Sequence, residues 1–300
     1  MSSLWNVEGD NLDIGYINIR DARSRAEIGM REALDAMWAR YAPYADSDFK
    51  DGFARDPDAR FWEMHLGCRL LAGGKILLAA ADRKRDGGQP DICVLDEGRR
   101  IWIEAITPEA GAAGPDQVRG PKPINEGGGM AAMPVRQAQL RASSALWTKS
   151  EVMKKYLAQE TIGPDDIRLI AIGAGRFGSL VPDDPPLAMS VVFPLGAQYM
   201  TFDRESGALV DEGFHFSPEI ARAGPAIPRT AFLVPQFAHV SGLVWSRMGI
   251  GYLGQSDRAL TMVHNPMAQR PMPQRWGVWD REFVTEQDGD AWTSTDIIAT

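Results

Sequence analysis

The chain has 300 residues, a formal charge of −8 and a pI near 5.1. This argues against a surface coated in basic side chains for nonspecific binding to nucleic acid, although a local basic groove stays compatible with it. With 44% apolar, 9% aromatic and 24% charged residues, it has the composition of a globular protein with a sizeable core. No apolar run approaches the roughly 20 residues of a membrane span.

The N-terminus (MSSLWNVEGD) has no signal-peptide pattern, and Cys68 and Cys93 both fall in apolar segments as core residues of a reducing compartment. The expected location is therefore cytoplasmic, with no membrane partner. Residues 14–19 (IGYINI) read as a weak strand. A helix is predicted over 21–41, with Asp21 as cap and Ala22, Ala26, Met30, Ala33 and Met37 at helical spacing. Residues 43–57 read as a polar, acidic loop, and 58–72 as a second helix ended by Gly73-Gly74.

Three short apolar runs follow, KILLAAAD (75–82), DICVLD (91–96) and RIWIEAITP (100–108), and all read as strands. The last two are so closely joined that they must form a hairpin. Residues 109–134 are rich in Gly and Pro and predict a long loop. A helix over 135–160 and a buried strand over 165–175 complete this part. The remainder reads as mainly β: a strand at 188–196, a hairpin at 198–216 turning at Glu205-Ser206-Gly207, and apolar runs at 231–246 and 258–264. A Trp-bearing tail from Asn265 is expected to wrap the surface, with Trp276, Trp279 and Trp292 docked on the chain's own core. The expected fold class is α/β (α+β), a mixed sheet flanked by helices in the order αβββαβ with a β-rich C-terminal extension. The boundaries are 1–57 for an N-terminal helical segment, 58–175 for the core and 176–300 for the extension, in one compact unit with the core.

Three carboxylates stand in or beside apolar elements. Alternation along 100–108 puts Glu104 on the same face as Trp102 and Ile106. Asp91 opens the neighbouring strand after Pro90, and Glu63 lies in the preceding helix, one turn from Gly67, whose missing side chain would let a strand approach. Like charges about 4 Å apart cost roughly 4 kcal/mol at an effective dielectric near 20, unless a proton, a basic partner or a cation intervenes. Helix 135–160 offers such a partner: Ala138, Ala142, Ala145, Lys149, Val152 and Tyr156 share one face, and Lys149 is its single charged member. Segment 117–156 carries seven basic residues against two acids, a candidate phosphate-facing groove with Arg119, Lys122, Arg136 and Arg141.

Each residue also has a plainer reading. Asp91 would cap a turn, Glu104 would pair with Arg99 or Arg100, and Glu63 with its own helix. Lys149 would snorkel to solvent and Arg141 would be exposed, and Gln137, which could orient a carboxylate or a water, would do neither. The four histidines lack metal-ligand spacing, no G-x-S-x-G elbow occurs, and Gly127-Gly128-Gly129 lacks the Lys-Ser/Thr of a phosphate-binding loop.

A helix glutamate (Glu63), a Pro-Asp opening a strand (Pro90-Asp91) and a Glu inside the next strand (Glu104) resemble the PD-(D/E)XK, restriction endonuclease-like nuclease superfamily. The resemblance covers about 58–175. It implies the αβββαβ core and hydrolysis of phosphodiester bonds in nucleic acid, DNA first, with Mg²⁺ (or Mn²⁺). It also implies metal binding by Asp91, Glu104 and Glu63. The lysine expected two residues after Glu104 is Ile106, so Lys149 becomes the candidate replacement. Without one, the fold would survive as a catalytically inactive protein that binds nucleic acid or a protein. A homodimer is compatible with either reading.

Overall fold

The computed structural model describes residues 3–83, 88–120, 132–180, 184–253, 258–289 and 291–298. Its centre is a mixed sheet of eight strands: β1 (Ile76–Leu77), β2 (Ile92–Asp96), β3 (Arg99–Ile106), β4 (Ile167–Gly173), β9 (Gly242–Ser246), β10 (Thr261–His264), β11 (Arg281–Asp288) and β12 (Ala291–Asp296), hydrogen-bonded in that order, while β5 (Leu195–Phe202) with β6 (Leu209–Phe216) and β7 (Glu219–Ile220) with β8 (Ile227–Pro228) form two separate pairs. The pairs β3–β4, β4–β9 and β10–β11 are parallel and the rest antiparallel. The fold is α/β, as expected. The turn between β2 and β3 consists of Glu97 and Gly98, both at positive φ, the conformation that suits a two-residue hairpin.

One face of the sheet carries the helices α1 (Ile14–Asp21), α2 (Arg25–Tyr41), α3 (Phe49–Arg55) and α4 (Pro57–Ala72). Their aromatic side chains pack on Ile101, Ile103, Leu169 and Ala171. The other face carries α5 (Val135–Ala158) and α6 (Leu187–Val192), whose Ala138, Ala142, Ala145 and Leu187 meet Ile170 and Ile172. The alanines of the α5 stripe are thus buried where spacing put them, while Val152 and Tyr156 are only half-buried and Met153 is buried instead, and period-two alternation sorts β4 between two cores. Among the described residues no helix is long and apolar enough to cross a membrane.

Several local expectations give way. Residues 14–19 are helical, not extended, because the Asp13 side chain accepts hydrogen bonds from the Gly15 and Tyr16 N–H groups. Helix α2 starts four residues later than expected. Ser24 and Glu27 form a reciprocal capping box, and the larger side chains of Leu34, Trp38 and Tyr41 take the core positions in place of the alanine stripe. The acidic stretch 43–57 contains α3, whose Phe49 and Phe53, four residues apart, are fully buried. Strand β1 is two residues long, and Ala80–Asp82 forms a 3-10 turn, since alanines pack poorly on a pleated surface. The strand expected at 188–196 is α6. It is buried nearly all round, so its apolar run carries no period to distinguish helix from strand.

The C-terminal tail does more than wrap. Its β11 and β12 extend the sheet, so the boundary at 175 falls within one continuous sheet. Trp276 and Trp279 dock on the core, and the Trp276 indole donates to Asp96 Oδ1 at 3.0 Å, while Trp292 is more than a third exposed.

Candidate functional site

The end of β3, the start of β2, helix α4 and helix α5 meet at an open cleft of about 460 Å³. Among the residues lining it are Arg60, Glu63, Asp91, Ile106 and Lys149. The antiparallel register sets Ile92 opposite Ile103, so one further step brings Asp91 level with Glu104. Asp91 Oδ2 accepts a 2.7 Å hydrogen bond from the Ala105 N–H, which ties the carboxylate to β3. Asp91 is therefore more than a turn cap. The Arg83 guanidinium, nearly inaccessible to solvent, donates to the Pro90 and Asp91 carbonyls and to Asp46 Oδ1, fixing the approach to the strand.

Glu104 projects toward α5 from the face it shares with Trp102. Lys149 Nζ donates to its Oε1 at 2.5 Å, and Arg99 and Arg100 lie exposed elsewhere. The other oxygen, Oε2, is buried with no hydrogen-bond partner among the described residues. A buried unpaired carboxylate oxygen is costly and asks for a ligand.

Glu63 is 3% exposed, and both of its oxygens are engaged. Oε1 accepts from the Tyr41 hydroxyl at 2.8 Å and Oε2 from Arg60 Nη1 at 2.8 Å. The role expected for Gly67 is corrected. It makes room for the Tyr41 ring and not for a strand, since a Cβ there would lie 2.3 Å from Tyr41 Cε2. Arg60 is seated similarly. Its Nε would be 2.6 Å from a Cβ on Gly52, and its guanidinium stacks 5.6 Å from the Phe49 ring centre.

Three acids thus face two cations, and their protonation shows the imbalance. Burial pushes the Glu63 carboxyl up to about 8, with the Asp91 charge adding to the rise and Arg60 opposing it. Burial also raises Glu104 to about 7, again with Asp91 adding and Lys149 opposing. Asp91 is raised too, by burial first, against the pull of Lys149 and its Ala105 hydrogen bond. Nearby Tyr156 is pushed well up by burial and by the charges of Glu104 and Asp91.

No protein-family model matches the chain, and no curated protein or solved structure is significantly similar to it. The chemistry of the cleft is therefore read from its own side chains.

Among the described residues, no three His, Cys, Asp or Glu side chains are grouped so as to hold a metal ion. With Glu63 committed to Tyr41 and Arg60, the free donors are Asp91 and the orphaned oxygen of Glu104. Asp91 lines the cleft and Glu104 lies buried next to it; a pair of carboxylates suits Mg²⁺, which keeps waters and takes substrate oxygens for the rest of its shell. They would not make the all-protein cage of a structural zinc site.

Of the residues named for a phosphate-facing groove, Arg119, Arg136 and Arg141 are dispersed and none of the three lines the cleft. Arg136 clamps Asp116 and the carbonyls of Pro115 and Ala221, and Arg119 donates to Gln117. Arg141 lies against Gly111, and Gln137 donates to the Pro115 carbonyl. Lys122 lies outside the described residues. Arg60 and Tyr41 were missed in the sequence. The Arg60–Glu63 spacing of three on one helix was the available signal for the first; nothing local marks the second.

Proposed function

We propose that this cleft is the active site of a divalent-metal-dependent nuclease that hydrolyses phosphodiester bonds in nucleic acid, of the PD-(D/E)XK kind. The carrying observation is a buried acidic pair, Asp91 and Glu104, with one oxygen unpartnered and a lysine on the facing helix. The helix–strand order around it supports the reading: α4, β1, β2, β3, α5, β4, with β1 to β4 adjacent in the sheet.

In this reading Asp91 and Glu104 hold Mg²⁺ or Mn²⁺. The bound ion supplies Lewis-acid polarisation of the phosphate and lowers the pKa of a coordinated water. Lys149 takes the part of the lysine absent at Ile106. Its ammonium orients the attacking water and stabilises the negative charge that develops on the phosphoryl oxygens. Arg60, held by Glu63 and Phe49, faces the same space as a fixed positive charge for a flanking phosphate. Glu63, held by Tyr41, keeps Arg60 in place.

A second reading has one observation in its favour. Ile106 lines the cleft where a catalytic lysine is expected. A protein of this fold that binds nucleic acid or a protein without cutting would show the same.

The test is incubation with single- and double-stranded DNA and RNA in Mg²⁺ or Mn²⁺, wild type beside Glu104→Gln and Asp91→Asn. Metal-dependent cleavage abolished by both substitutions supports a nuclease. Metal-independent retention of nucleic acid without cleavage supports the second reading.

A further inference from the structure

Strands β5 (Leu195–Phe202) and β6 (Leu209–Phe216) pair antiparallel into a two-stranded ribbon separate from the main sheet. Its root is rigid. The buried Arg229 donates from Nη1 to the Leu195 carbonyl at 3.0 Å and from Nε to that of Ser217 at 2.9 Å, gripping the chain where each strand meets the body.

Beyond the root, Gln198 stands opposite Phe214, Met200 opposite Glu212 and Phe202 opposite Leu209. Cross-strand partners share a face, so Met200, Phe202, Leu209 and Phe214 lie on one face together with Gln198 and Glu212, and Phe216 extends it toward the root. The five apolar residues are 37% to 76% exposed. At roughly 200 Å² for each large side chain, about 500 Å² of apolar surface stands in water on one face. That is near the upper end for a monomer. An isolated two-stranded ribbon is also marginal on its own.

At the ribbon's foot is a groove of about 190 Å³ lined by residues including Pro186, Leu187, Met189, Gln198 and Phe214, with space for one aromatic side chain. The filler it lacks is present on the same element. Phe202 sits at the tip, and the ribbon of eight residues per strand spans about 25 Å.

We propose that the ribbon is a dimerisation arm. Two copies of this chain pair about a twofold axis with their apolar ribbon faces antiparallel, and Phe202 of each copy fills the groove at the foot of the other's ribbon. A twofold satisfies both grooves at once because groove and filler lie on one self-complementary surface. The ribbon faces supply over half of the roughly 800 Å² per partner of an ordinary stable interface, and the grooves add to it. Charge disfavours nucleic acid as the occupant: the ribbon carries Asp203, Glu205, Asp211 and Glu212 against the single Arg204.

Sedimentation velocity across a protein concentration series tests this. Wild type should be dimeric with a dissociation constant on the order of micromolar or tighter. Phe202→Glu, at a position more than half exposed, should be monomeric throughout while keeping the wild-type circular dichroism spectrum. A monomeric wild type, or a dimer that survives Phe202→Glu, overturns the proposal. So does a ribbon that instead retains a nucleic acid while the chain stays monomeric. None of these outcomes depends on the cleft.

Discussion

Lys149 reaches Glu104 from the opposite layer of the fold, its ammonium 2.5 Å from one carboxylate oxygen while the other oxygen has no hydrogen-bond partner among the described residues. The pair links α5 to β3 across the cleft wall that also holds Ile106. Under the proposed nuclease reading, a charge placed there would act on the substrate although it arises 45 residues from the acid it serves.

Lys149→Ala is expected to lower the cleavage rate by about 10²–10³, the usual loss on removing one group that stabilises transition-state charge. Metal affinity should change far less. Ile106→Lys in the Lys149→Ala background should recover part of the rate, because both side chains open on one cleft. Single-turnover kinetics with saturating Mn²⁺ measures both. An unchanged rate in Lys149→Ala returns Lys149 to a purely structural ion pair.

The acids and the lysine were legible because each breaks a pattern: a carboxylate among apolar neighbours on a strand, and one ammonium in a stripe of small residues. The helices α4 and α5 and the β2–β3 hairpin were legible because their periods and breakers are strong. Tyr41 and Arg60 were not. Their importance comes from packing, with Gly67 and Gly52 leaving space that no local period encodes. Helix α6 escaped because an element buried nearly all round loses its period, and α3 because its aspartates masked Phe49 and Phe53. The basic groove read from charge counting did not account for tertiary pairing, which spends Arg136 on Asp116.

Gly67→Ala should destabilise the protein by about 1–3 kcal/mol, since the added methyl meets a fully buried ring that has little freedom to shift. Denaturant unfolding monitored by tryptophan fluorescence gives the number. A neutral result would mean that α2 and α4 can slide apart without loss. Tyr41→Phe tests the hydroxyl alone. It keeps the ring but removes one hydrogen bond from Glu63, and should cost about 1–3 kcal/mol.

Stability should fall as pH rises. Glu63, Asp91 and Glu104 all titrate above their ordinary values in the folded chain. The folded state therefore holds protons that the unfolded chain has released. The stability this represents is complete below the ordinary carboxylate range and is lost as pH rises through about 7 and 8, where Glu104 and Glu63 ionise. Thermal unfolding temperatures should drop across that window. Added Mg²⁺ should restore them at the alkaline end and do little at the acid end, because only the ionised acids bind the cation. Glu63→Gln should flatten the profile. A profile rising with pH in the absence of metal would contradict the charge balance described.

The most direct measurement is Mn²⁺ binding followed by electron paramagnetic resonance, run beside cleavage of a labelled DNA, for wild type, Asp91→Asn and Glu104→Gln. The account predicts a bound ion and cleavage in wild type, with both lost in each variant while the fold stays intact by circular dichroism. Undiminished Mn²⁺ binding and unchanged cleavage in the two variants would contradict it.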